Sequence, residues 1–146
     1  MLKRLLGLDV GSKTIGLAVS DPLGITAQGL KTYRRKNKRT DLQELECLVR
    51  EYSICEIVMG YPLHMSGDQS AGSVRVGEFA ELLRTHLGLP VHLWDERLTT
   101  AEAQRVLRES EMSIRRRAEV VDQLAAVLIL QSFMENRKQA AERTSG

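Results

Sequence analysis

The run Leu5-Leu6-Gly7-Leu8-Asp9-Val10-Gly11 narrows the possible folds more than any other part of the chain. Its apolar residues are continuous rather than alternating, the pattern of a strand covered on both faces. A sheet built around such a strand needs helices on either side. The acid at its tip is the anomaly, because a buried carboxylate is costly unless something cationic meets it. Gly11 follows, where the backbone can turn or be approached closely. Asp9 can therefore accept from the turn amides of Gly11 and Ser12, or it can hold a cation.

The elements that follow alternate in a definite order. Ile15, Leu17 and Val19 alternate with Gly16, Ala18 and Ser20, and Asp21-Pro22-Leu23-Gly24 supplies a turn before a third strand near 25–32. These three strands read as an antiparallel meander. Thr40-Asp41-Leu42-Gln43 has the form of a capping box, and Leu42, Leu45, Val49 and Tyr52 follow at helical spacing, which predicts a helix over 41–52. A buried-type strand spans 54–59. A helix spans 70–86, with Val76, Phe79, Ala80, Leu83 and Leu87 inward, and a further strand covers 91–94. Thr99 with Glu102 makes a second capping box, for a helix bearing Ala103, Val106 and Leu107. After the polar stretch 110–117, a last helix runs from about Ala118 into the 130s, and 137–146 reads as a frayed tail. The order βββαβαβαα implies parallel crossovers after the meander. At 146 residues the chain is expected to form a single domain over 1–146.

Two further acids stand in awkward places. Glu96 follows the last strand, at the carboxyl end where open α/β sheets bind ligands; an ion pair with Arg97 or Arg105 is the plainer role. Asp122 interrupts the inward stripe Ala118, Asp122, Ala125, Ile129, Phe133 of the last helix. Unpaired there, its charge would cost several kcal/mol. A lysine or arginine reaching in, a place in the first helical turns, or a metal would each resolve that cost. Hard oxygen donors suit Mg²⁺ or Mn²⁺ rather than zinc, and His64, His86 and His92 share no ligand spacing. Cys47 and Cys55 form no CxxC pair, which argues against a disulfide framework or zinc site and for a reducing, cytoplasmic setting. The first apolar run meets Asp9 too soon for a signal peptide, and no stretch approaches the ~20 apolar residues of a membrane span.

The net charge of +2 hides a local excess: residues 31–39 carry six of the 21 basic residues and no acid, leaving 15 basic against 19 acidic residues elsewhere. Arg115, Arg116 and Arg117 form a second basic patch. An anionic partner fits such patches, as does a solvated connector. The candidate nucleic-acid contacts are Lys13, Arg34, Arg35, Lys36, Arg97 and the three arginines 115–117. Thr99 and Thr100 join them at a helix N-terminus, where free amides favour phosphate. Aromatic residues make up only 4% of the chain, so base stacking is a minor contribution and shape-directed recognition is expected. The loop 61–69 reads as a mobile lid or as a simple connection.

Several segments resemble the YqgF family: Leu8-Asp9-Val10-Gly11, Gly16-Leu17-Ala18-Val19-Ser20-Asp21-Pro22, Gly60-Tyr61-Pro62-Leu63, Asp95-Glu96-Arg97-Leu98-Thr99-Thr100 and Val121-Asp122-Gln123-Leu124-Ala125-Ala126. The resemblance implies an α/β, ribonuclease H-like fold: a five-stranded mixed sheet, antiparallel meander plus parallel strands, flanked by helices. It implies metal-dependent cleavage of structured nucleic acid by Asp9, Glu96 and Asp122 with Mg²⁺ or Mn²⁺, leaving a 5′-phosphate and a 3′-hydroxyl. The family's naming points to 5′-end maturation of precursor 16S rRNA, with a Holliday junction in DNA as the alternative substrate. Related resolvases place another acid three residues further along the last helix; that position is Ala125 here, and Glu119 lies three residues before. Asp95 competes with Glu96 for the site. Asp9-Val10-Gly11-Ser12-Lys13-Thr14 with Gly16 also resembles the first phosphate loop of the actin, Hsp70 and sugar-kinase superfamily, whose two-lobed members are far longer than 146 residues, so size counts against that class; a noncatalytic ribosome-assembly or nucleic-acid-binding module is the third. The sequence leaves open monomer or homodimer, endo- or exonucleolytic cleavage, and one or two metals.

Overall fold

The computed structural model describes residues 4–61, 71–95 and 114–145, with side chains described from Val74 in the second segment and over 123–143 in the third. Its strands are β1 (Arg4–Val10), β2 (Thr14–Ser20), β3 (Ala27–Arg34), β4 (Ile54–Tyr61) and β5 (Val91–Asp95). They form one sheet in the order β3-β2-β1-β4-β5, antiparallel across β1, β2 and β3 and parallel across β1, β4 and β5. The helices among the described residues are α1 (Lys38–Glu51), α2 (Ala71–Leu87) and α3 (Ile114–Ser145). None is long and apolar enough to cross a membrane. Cys47 and Cys55 are free thiols.

The continuous apolar run of β1 is explained by its two covers. Leu6 and Leu8 point into a core shared with Leu45 and Leu48 of α1 and Val76, Phe79, Ala80 and Leu83 of α2. Leu5 points the other way, into a core with Ala126, Ile129, Leu130 and Phe133 of α3. Strand alternation thus assigns odd positions of β1 to the α3 face and even positions to the α1/α2 face. The same alternation holds in β5: Val91 joins the α1/α2 core, while His92 and Trp94 meet Phe133 of α3.

α3 can lie close to the sheet because small residues line up beneath it. Gly7, Ala18 and Gly29 stand side by side across β1, β2 and β3. A Cβ on Gly7 would come within 3.0 Å of the Ala126 carbonyl and of Leu130 Cβ, and one on Gly29 within 3.2 Å of Gln123 Oε1.

Three boundaries differ from the sequence expectations. β3 starts at Ala27 rather than near 25, because the turn before it is longer. Asp21 Oδ1 accepts from the amides of Ile25 and Thr26, and the Asp21 amide donates to the Thr26 carbonyl. α1 starts at Lys38: Asn37, in an extended conformation, accepts from the Thr40 amide at 2.8 Å, so Asn37 is the N-cap and Thr40 lies inside the helix. α3 begins at Ile114 and runs through Ser145, so the expected tail is helical. The predicted helix after Thr99 and all of the loop after Tyr61 up to residue 70 lie outside the described residues.

Candidate active site and basic cleft

Asp9 occupies the carboxyl end of the central strand and, by the alternation above, the α3 face of the sheet. Its partner on β2 is Gly16. Continuing the β1–β4 register one residue past Leu8 and Met59 brings Gly60 to its other side, and Gly60 is paired with Trp94 of β5. The nearest register positions to Asp9 on both neighbouring strands are therefore glycines. The Asp9 side chain is partly buried and engaged by neighbours.

The position of Asp122 follows from the helix. Ala126 packs on Gly7, and Gln131 and Met134 share a groove with Leu5, so α3 runs from the Asp9 end of β1 towards its start. Asp122 lies one turn before Ala126, on the Asp9 side of that crossing. Its side chain, like those of Glu119 and Arg115, Arg116 and Arg117, lies outside the described ones, as do residues Glu96, Arg97, Thr99 and Thr100 altogether. Asp95 ends β5 on the face opposite Trp94. Among the described residues, no three His, Cys, Asp or Glu side chains converge on one point.

On the other face of the same strand tip lies a cleft of about 710 Å³ floored by Val10 and Gly11. Its cations are Lys13, Arg34, Arg35, Lys36, Lys38 and Arg75. Four of these were named from the sequence; Lys38 belonged to the basic run 31–39 without being singled out, and Arg75 was not assigned a role there. The basic run is no connector: Lys31 and Arg34 sit on the edge strand β3, and Lys38 and Arg39 open α1.

Arg35 is set apart from the others. Its Nε donates to Asp41 Oδ2 at 3.1 Å, its Nη1 donates to the Gly11 carbonyl at 2.9 Å, and its guanidinium lies over the Phe79 ring. Asp41 is 1% exposed and also accepts from the Tyr33 hydroxyl and the Lys36 amide. Burial, with Asp41 adding to it, pushes the Tyr33 phenol up to about 12, so it stays a donor. The expected phosphate ligand Arg35 is thus occupied in holding the turn after Asp9 against α1. Asp41, assigned in the sequence to a capping box, is a buried acid with its own cation.

A mixed sheet of this order, with helices on both faces and an acid at the tip of its central strand, defines a ribonuclease H-like protein. Solved structures share that fold: Thermus thermophilus RuvC in complex with a Holliday junction substrate (TM-score 0.61, 14% identity, 94% of this chain and 96% of that one) and the fowlpox virus Holliday junction resolvase (0.56, 13%, 91% and 98%). The chain belongs to the RuvX (YqgF) family, whose model, described as a Holliday junction resolvase, matches residues 3–136. Relatives named "Putative pre-16S rRNA nuclease" come from Koribacter versatilis, 60% identical over 92% of this chain and 88% of that one, and from Moorella thermoacetica, 53% identical over 90% and 94%. The family is one of nucleases, and this chain is an enzyme of that kind.

Proposed function

We propose that the protein is a metal-dependent phosphodiesterase in which Asp9, Glu96 and Asp122 share one site at the carboxyl ends of β1 and β5. The observation that carries this reading is the common face. Asp9 and Trp94 lie on the α3 face, and Asp122 lies on α3 one turn from the Gly7 crossing. Asp95 ends β5 on the face opposite Trp94, which favours Glu96 over Asp95 as the third acid.

Carboxylates are the donor set of Mg²⁺ or Mn²⁺. When bound, such an ion supplies a water of lowered pKa and offsets charge on the scissile phosphate. The three acids hold the ion, and the glycines flanking Asp9 admit a phosphodiester to it. The products are a 5′-phosphate and a 3′-hydroxyl. The relatives' names favour the 5′ end of precursor 16S rRNA as substrate, in the cytoplasm, over a four-way DNA junction.

One assay tests both chemistry and substrate. Precursor rRNA ends, single strands and four-way junctions are offered to the wild type and to Asp9→Asn, Glu96→Gln and Asp122→Asn, with Mg²⁺, Mn²⁺ or EDTA. Cleavage of the rRNA ends is expected, lost in EDTA and reduced at least about 100-fold in each folded variant. Full activity in Asp122→Asn overturns the shared site; cleavage of junctions alone overturns the substrate.

A further inference from the structure

Among the described residues, the cleft behind the β1 tip holds more positive charge than its surroundings neutralise. Lys13 comes from the β1–β2 turn, Arg34 and Lys36 from the end of β3 and the residues after it, Lys38 from the first turn of α1, and Arg75 from α2. Among the described residues, no carboxylate pairs with any of these five, whereas the adjacent Lys31 and Arg35 each hold one, Glu44 and Asp41. Asp41 is the one acid of the lining among the described residues, and its charge is already met by Arg35.

Like charges drawn from four stretches of chain around one concavity repel one another, and Lys38 also stands at the positive end of the α1 dipole. A polyanion relieves both costs. Among the described residues no aromatic ring lines the cleft, so bases find none of these to stack on there. The guest is recognised by its phosphates. Val10 and Gly11 place the cleft immediately past Asp9 in sequence but on the α1/α2 face, away from the face of the proposed catalytic acids.

We propose that the cleft is a second, sequence-independent contact for the substrate: backbone phosphates beside the scissile one cross the β1 tip and seat among Lys13, Arg34, Lys36, Lys38 and Arg75. The identity of the polyanion rests on the nuclease reading; the cleft itself does not. Arg35 takes no part in it as a ligand.

Binding in EDTA separates the two. A labelled single-stranded RNA of mixed sequence and its scrambled counterpart are titrated against salt with wild type, Lys38→Ala/Arg75→Ala, Lys13→Ala/Lys36→Ala and Arg50→Ala, each checked for fold by circular dichroism. Arg50 carries the same charge outside the cleft. Each double variant is expected to bind roughly tenfold more weakly and to lose about 1.4 from the salt slope, at ~0.7 per phosphate, equally for both RNAs. Arg50→Ala is expected to keep the wild-type slope. Unchanged slopes in both double variants overturn the cleft, as does an equal loss in Arg50→Ala. Wild type that shows the cleft-dependent slope yet cleaves nothing with Mg²⁺ or Mn²⁺ supports the cleft and overturns the nuclease reading. Cleavage with unchanged slopes does the reverse.

Discussion

Two neighbouring arginines show how little a charge run says about the role of each member. Arg34 is exposed at the end of β3; Arg35, one residue on, turns inward to Asp41 and Gly11. Removing Arg35 leaves Asp41, 1% exposed, without its cation. Arg35→Ala is therefore expected to lower stability by about 3 kcal/mol, and Arg34→Ala by no more than ~0.5 kcal/mol. Urea midpoints of the two variants check this, and equal midpoints would show that the Asp41 cluster carries no special weight. Arg35→Lys should recover only part of the loss, because an ammonium cannot span Asp41 and the Gly11 carbonyl in the guanidinium's planar geometry. Tyr33→Phe, which removes one donor to Asp41, is expected to cost about 1 to 2 kcal/mol.

At the scale of elements, α3 and its bed of small residues decide whether an acid on the helix can reach the sheet. Gly7→Ala would press a methyl group against the Ala126 carbonyl, which cannot swing aside as a side chain would. A loss of about 1 to 3 kcal/mol is expected, together with reduced cleavage, because the helix carrying Asp122 must lift at its crossing over β1. Wild-type stability and activity in Gly7→Ala would show that the crossing has slack. At the start of α1, Asn37→Ala is expected to cost about 1 kcal/mol, and Thr40→Ala less, as thermal unfolding would read. These two residues mark where the sequence stops being legible. The strand faces and the stripe Ala125, Ile129, Phe133 follow from periodicity, and the structure buries all three. The cap did not, because Thr40 to Gln43 carries the signature of a start three residues after Asn37 makes one. The far end of α3 did not either: exposed positions 135–143 have no apolar stripe, and only strong helix formers such as Lys138, Ala140 and Glu142 continue it. Arg75 had no local signal at all, since it gains meaning only when α2 packs beside the start of α1.

On the scale of the whole molecule, the sheet has two working ends, and α3 joins them. The Asp9 end gathers the cations of the cleft. At the opposite half of α3, Arg137 Nη1 and Nη2 donate to Glu56 of β4 at 2.8 and 3.1 Å, and His92 of β5 lies 2.9 Å from the same carboxylate. The Arg137 guanidinium also lies over Phe133, which packs on Trp94. This cluster anchors the helix far from the proposed acids, so its loss should be felt in stability before it is felt in chemistry. Arg137 first, and then His92, hold the Glu56 carboxyl down to about 2, below its ordinary 4.5. A depressed folded-state pKa means that the unfolded chain binds the proton first; the stability this group contributes is complete above about pH 4.5 and is lost as pH falls towards 2. Allowing for the partial exposure of Glu56, the contribution is on the order of 2 kcal/mol. Urea unfolding from neutral pH into the acid range should therefore show a shallower acid decline for Glu56→Gln than for wild type, with the two curves converging near pH 2. Parallel acid limbs would mean that Glu56 titrates alike in the folded and unfolded chain, and that the anchor of α3 is its apolar contact with the sheet alone.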